Sequence, residues 1–292
     1  MAWCAARRAA RARARRADQV TVPGYRLRVV YCLLAAPFIA PIRAWAQPAP
    51  LEHAHAHNDY QHARPLFSAL ERGFRSVEAD VHLVDGRLLV AHDRDSVKAD
   101  RTLESLYLAP LRTYIQQHGG RAYPGTQPLT LLIDVKSDSE ATYVVLDSVL
   151  RRYADILTIF ARGEVVDGPV IAVISGERAI NTMRRAPVRF AAVDGRLADL
   201  EKTPRPARAL MPIVSDSWDR ITKWKGVGPA PANARRDVDR AVSRAHGQDR
   251  QLRFWGTPDN EAVWQLLRDT GVDLIGADDL DALRTFLAPR HE

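Results

Sequence analysis

Leu131-Leu132-Ile133-Asp134-Val135-Lys136 is an apolar run interrupted only at its end, by an acid and a base. With the two residues before it, the run reads as one buried strand over 129–135. Ionised groups at the end of such a strand are costly unless paired or ligated. In a parallel barrel, the C-terminal strand ends are where catalytic groups sit. Working outward, seven more stretches read as strands: 51–57, 76–82, 169–174, 189–193, 211–215, 251–255 and 272–276, with 87–91 extending the sheet. Helical patterns fill most of the intervals. The clearest is 140–153, where Val145, Leu146, Val149, Leu150 and Tyr153 keep to one face. The others are 65–72, 103–117, 177–185, 234–245, 261–269 and 280–287. Eight strands alternating with helices predict an α/β fold, a (β/α)8 TIM barrel over residues 47–292. Segment 219–232 has no apolar period and reads as a loop, either a lid or a plain insertion.

The first 46 residues belong to a different kind of sequence. They hold nine arginines and a single acid, Asp18, then an apolar run from Val29 to Ile39, and close on Ala44-Trp45-Ala46. A basic start, a short apolar stretch and a small-residue site predict a signal peptide over 1–46, with export to the periplasm or the extracellular space. The apolar run is short for a membrane span, so none is expected after processing. Without the leader's eight net positive charges the formal charge falls from +7 to −1. The mature domain therefore gives no electrostatic reason to bind nucleic acid. Both cysteines, Cys4 and Cys32, also lie in the leader. An exported domain without cysteine has no disulfides and relies on its hydrophobic core.

The strand ends carry the chemistry. The first strand runs into His53-Ala54-His55-Ala56-His57, and period-2 alternation puts all three histidines on one face. The second carries Glu78-Ala79-Asp80, whose i, i+2 spacing puts both carboxylates on one face. If that face is the barrel interior, a hard divalent cation removes the repulsion between them. If Val77, Ala79 and Val81 face inward instead, the acids are a solvated pair, and the alternation alone allows either phase. Asp134 offers a third carboxylate for the cation and Lys136 a positive charge for an oxyanion; a plain Asp134–Lys136 ion pair at the barrel rim is the simpler alternative. Leu88-Leu89-Val90-Ala91-His92-Asp93 ends another apolar run in a histidine, and two histidines flanking a phosphoryl group suit acid–base catalysis.

These residues resemble a known superfamily. His57, Ser76-Val77-Glu78-Ala79-Asp80-Val81 and Asp85-Gly86-Arg87-Leu88-Leu89-Val90-Ala91-His92-Asp93 are similar to the glycerophosphodiester phosphodiesterase signature. Asp134-Val135-Lys136 resembles that family's acid-x-Lys element, in the form seen in spider sphingomyelinase D. Phe254-Trp255-Gly256 and Gly271-Val272-Asp273-Leu274-Ile275 resemble its last two strands. Among the branches, residues 55–60 and 77–84 look closest to the Altered Inheritance of Mitochondria protein 6 group. The resemblance implies a phosphatidylinositol-phospholipase-C-like barrel with one Mg²⁺ or Ca²⁺ on Glu78, Asp80 and Asp134. It implies His57 and His92 as the acid–base pair, and Lys136, Asn58 and Trp255 as contacts to the substrate phosphate. The substrate expected is a small-molecule or lipid phosphodiester. The family's His-Arg-Gly reads His57-Asn58-Asp59 here, so no arginine follows the histidine.

Two other readings fit parts of the sequence. His-x-His on a first barrel strand suits a zinc amidohydrolase, but such a site needs histidines on middle strands and none occurs between His118 and His246. A non-catalytic phosphate- or lipid-binding barrel would keep the fold without turnover.

Overall fold

The computed structural model describes residues 48–161 and 163–289, so the leader expected over 1–46 lies outside the described residues. Eight parallel strands follow one another around a nearly closed barrel: β1 (Leu51–Ala56), β2 (Phe74–Val84), β3 (Leu129–Val135), β4 (Val170–Gly176), β5 (Ala192–Gly195), β6 (Ile213–Ser217), β7 (Gln251–Trp255) and β8 (Ile275–Ala277). β8 pairs with β1, and an isolated parallel bridge between Arg253 and Leu274 links β7 toward β8. The predicted TIM barrel is therefore the observed fold.

Phase is settled by burial on both sides of the strands. Val77, Ala79 and Val81 of β2 and Leu131, Ile133 and Val135 of β3 face outward into the main core, with Leu146 and Leu150 of helix Ser139–Arg151. The lower barrel is filled by Leu132, Val173, Ala192, Ile213 and Leu274, plugged by Phe160. Above this dry layer the inward positions turn polar, so Glu78 and Asp80 point into the barrel. Caps at the strand ends explain how several helices start there. Asp138 accepts from Ala141 N, Asn260 from Val263 N and Asp279 from Ala282 N, each satisfying a donor of the first helical turn.

The structure departs from the sequence-based expectations at several points. Residues 87–90 do extend the sheet as expected, but antiparallel to β2, joined by an Asp85-Gly86 turn whose two residues both have positive φ, the signature of a tight hairpin. The stretch predicted as the strand 189–193 is divided: 188–189 joins a small antiparallel sheet with 159–161 and 164–166, and β5 begins at Ala192. The helix predicted over 65–72 shrinks to Phe67–Leu70 because Leu66 has φ 66° and Phe67 N donates to Pro65 O, a γ-turn that breaks the helical register. The 219–232 loop begins with one helical turn, Trp218–Ile221. Among the described residues no helix is long and apolar enough to cross a membrane.

Candidate functional site

The register of neighbouring strands assembles the site. Asp80 on β2 lies level with Asp134 on β3, and Asp134 level with Ser175 on β4. Glu78, Asp80 and Asp134 each present an oxygen, all within 4.8 Å of one another. Where β4 ends, a side chain at Gly176 would meet Asp134 Oδ1 at 2.3 Å, so only glycine lets the chain pass beside this carboxylate.

Each carboxylate is half committed. Glu78 Oε2 accepts from Arg253 Nη1 at 2.5 Å and lies 2.9 Å from His55 Nε2. Lys136 Nζ bridges Asp80 Oδ2 at 3.1 Å and Asp134 Oδ2 at 2.5 Å. The ion pair that the sequence offered as the simpler alternative is thus present, and it does not exhaust the acids. Glu78 Oε1, Asp80 Oδ1 and Asp134 Oδ1 have no hydrogen-bond donor among the described residues, and Asp80 Oδ1 is buried as well. A buried carboxylate oxygen without a donor is expensive. One oxygen from each of the three acids, all within 4.8 Å of one another, make the donor set a hard divalent cation takes. The residues fit the implied metal.

Electrostatics separates the acids. Burial would raise Glu78, but the Arg253 guanidinium, with His55, outweighs it and holds the carboxyl far below the usual range. Asp80 shifts the other way: burial and the charges of Glu78 and Asp134 push it up against the pull of Lys136. Burial, followed by Arg253, lowers His55 to about 4, so this histidine is neutral in the barrel centre.

The expected acid–base pair brackets the carboxylates. His57 follows β1, with its N–H bonded to Ala277 O. Its Nδ1 donates to Asp278 Oδ1 at 2.8 Å. Burial opposes a charge on His57, but this bond and the charges of Glu78 and Asp278 prevail, so it titrates above the ordinary value. His92 is carried in by the hairpin, because Ala91 N donates to Asp80 O. Its Nδ1 lies 3.2 Å from Asp80 Oδ2 and 3.2 Å from the Tyr60 hydroxyl. That hydroxyl is also 2.7 Å from Asn58 Oδ1 and 2.9 Å from Asp80 Oδ2. The turn holding Asn58 and Tyr60 is pinned by buried Asp59, whose Oδ2 accepts from Leu66 N and the Tyr107 hydroxyl.

Asn58 therefore stands between His57 and Tyr60, with its amide nitrogen 3.0 Å from His57 Nδ1. Trp255 lies on the rim, 41% exposed. It lines a cleft of about 390 Å³ with His55, His57, Arg253 and Lys225. His53 is exposed, with Nδ1 3.0 Å from Asp273 O, and takes no part. The structure thus brings together Glu78, Asp80, Asp134, Lys136, His57, His92 and Asn58. Sequence reasoning missed Arg253, Tyr60 and Asp278. Arg253 interrupts an apolar strand and Asp278 follows one, the signal that singled out Asp134. Tyr60 is marked only as the last residue of the 55–60 stretch that carries the resemblance.

Comparison with known proteins bears on the resemblance and the fold. Residues 46–190 match the AIM6-like phosphodiesterase domain. The chain is 29% identical over 264 residues to an Altered inheritance of mitochondria protein 6 homolog of Arthroderma benhamiae, covering 80% of this chain and 82% of that protein. It is also 29% identical to Altered inheritance of mitochondria protein 6 of Eremothecium gossypii, covering 81% of this chain and 69% of that protein. These three findings bear out the resemblance read from residues 55–60 and 77–84. Among solved structures, a glycerophosphodiester phosphodiesterase from Parabacteroides distasonis shares the fold, with TM-score 0.51, 17% identity and coverage of 82% of this chain and 98% of that one. A phosphodiesterase of Oleispira antarctica, in complex with its product sn-glycerol-3-phosphate, matches with TM-score 0.50 and 15% identity, covering 82% and 97%.

Proposed function

We propose that this phosphodiesterase-like domain is an exported, metal-dependent phosphodiesterase cleaving a glycerophosphodiester- or phospholipid-like substrate. The observation that carries the reading is the cluster of Glu78, Asp80 and Asp134, one oxygen of each within 4.8 Å of the others, with buried Asp80 Oδ1 unbonded and His92 against Asp80 Oδ2. A divalent cation, Mg²⁺ or Ca²⁺, bound there would polarise the phosphoryl oxygens and offset their charge. Lys136, partly exposed on Asp80 and Asp134, adds a positive charge for the phosphate. His57, whose cationic form Asp278 favours, gives its proton to the departing alkoxide. His92, oriented by Asp80 and Tyr60 through Nδ1, takes the proton of the attacking water or substrate hydroxyl. Asn58 donates to Asp278 Oδ1 at 3.4 Å and so supports the carboxylate that orients His57, and Trp255 offers an apolar wall to the part of the substrate beyond the phosphate. The sn-glycerol-3-phosphate held by the Oleispira phosphodiesterase favours a small phosphodiester as the first compound to test.

The test is to screen the purified domain against glycerophosphodiesters and phospholipids, with and without a chelator. Turnover that a chelator abolishes and Mg²⁺ or Ca²⁺ restores is expected. Turnover indifferent to chelation would remove the metal from the reading, and none on any diester would favour a binding barrel. Export is tested separately: the mature protein should begin near Gln47, and an intact leader by mass spectrometry would refute cleavage after Ala46.

A further inference from the structure

Arg253 has so far appeared only as the partner of Glu78, and that leaves half of its guanidinium unexplained. The side chain enters from β7, across the barrel from β2 and β3, and is only 4% exposed. Nη1 is committed, at 2.5 Å from Glu78 Oε2 and 2.6 Å from His55 Nε2, and Nε lies 3.4 Å from Ser215 Oγ. Nη2 has no acceptor among the described residues. It is not among the sealed, unsatisfied atoms of the interior either, and Arg253 lines the cleft beside His57 and Trp255. A guanidinium is a rigid fork, so with one arm fixed on Glu78 the direction of the other is fixed too. An almost buried cation with a donor arm open to a cleft is suited to an anionic oxygen. The cleft is otherwise poor in such donors. Lys225, the other lysine or arginine lining it, is held by Asp219, and no arginine directly follows His57 in the sequence.

We infer that Arg253 is a substrate-binding residue, whose Nη2 donates to a phosphate oxygen in the cleft while Nη1 stays on Glu78. This rests on the phosphodiester reading of the site. It gives one side chain two tasks: balancing the charge of a carboxylate in the acidic cluster, and gripping the anion that the cluster would otherwise repel. A lysine can do the first but lacks the second arm.

Arg253→Lys separates the tasks. Inorganic phosphate binding to the full chain is followed by titration calorimetry, with thermal unfolding measured in parallel. The variant should unfold near the wild-type temperature and bind phosphate about 10- to 100-fold more weakly, the range for one lost hydrogen bond to a charged group. With a diester substrate, KM should rise with kcat/KM falling by a similar factor. Wild-type phosphate affinity in a folded Arg253→Lys would overturn the inference. Should that variant fail to fold, a crystal structure of the wild type with phosphate decides: an oxygen within about 3 Å of Nη2 is expected, and a phosphate bound out of its reach refutes the assignment. Wild-type protein that binds phosphate through Arg253 but cleaves no diester would break the proposed function and leave this inference standing.

Discussion

Asp80 on β2 and Asp194 on β5 are both 0% exposed, inside the same barrel, and are treated quite differently. Asp194 is satisfied on both oxygens: Ser215 donates to Oδ1 at 2.8 Å, and Ser175 at 2.8 Å and Arg196 at 3.1 Å serve Oδ2. Asp80 crowds Tyr60, His92 and Lys136 onto Oδ2 and leaves Oδ1 bare. Two more acids stand beside Asp80, whereas Asp194 has hydroxyls and an arginine. Burial alone therefore does not mark a functional carboxylate. A fully bonded buried acid is a joint that ties three strands together; a half-bonded one among other acids is the place where the proposed cation would sit.

The sharpest way to break this contrast is Asp80→Asn. It should lower turnover by roughly 10³-fold, the several kcal/mol that a bound cation supplies. Cation should raise the unfolding temperature of the wild type, because a ligand bound only to the folded state stabilises it, and should leave that of Asp80→Asn unmoved. A variant still stabilised by cation would place the metal elsewhere. Next come the histidines. His57→Ala and His92→Ala should each cost at least about 10²-fold in turnover at saturating cation, and the double variant well short of the product, since the pair acts as a unit. Full activity in His92→Ala would end the two-histidine mechanism.

Asp194→Asn is the counterpart. It should leave turnover within a few-fold and cost about 1–3 kcal/mol of stability, because an amide cannot accept from all three donors. Denaturant unfolding together with turnover checks both halves. A loss of activity without loss of stability would mean that Asp194 is part of the machinery and that the contrast is wrong.

Much of this was legible in the sequence, and the reasons are local. Asp134 and Lys136 stood out because they end an apolar run, and Glu78 and Asp80 because period-2 alternation ties them to one face. The phase of that face was not legible: it depends on helices packing against Val77 and Ala79, a long-range fact. The partners were hidden for the same reason. Arg253 reaches Glu78 across 175 positions of sequence and Asp278 reaches His57 across 221, and no spacing rule spans such distances. Leu66, by contrast, broke a predicted helix through one residue's backbone angle, which composition does not reveal.

The smallest expected effect tests the electrostatics of the mouth rather than its floor. His57 accepts no bond from the acidic trio; its elevated titration arises from Asp278, with Glu78 adding charge at longer range. If His57 is the proton donor, kcat/KM falls as pH rises through its pKa. Asp278→Asn removes a negative charge and a charge-assisted bond, so the cationic form is favoured less and the pKa drops. The alkaline limb of the profile should move to lower pH, with the plateau below it little changed. In terms of stability the sign is the same. A histidine raised in the folded state adds stability below its unfolded pKa and loses it as pH rises through the folded one, so the variant should lose part of the stability the wild type holds at low pH. The measurement is kcat/KM against pH for both proteins at saturating cation. An alkaline limb that stays in place would show that the limb belongs to another group, and an acid limb that moves to lower pH in its stead would assign His57 the role of base.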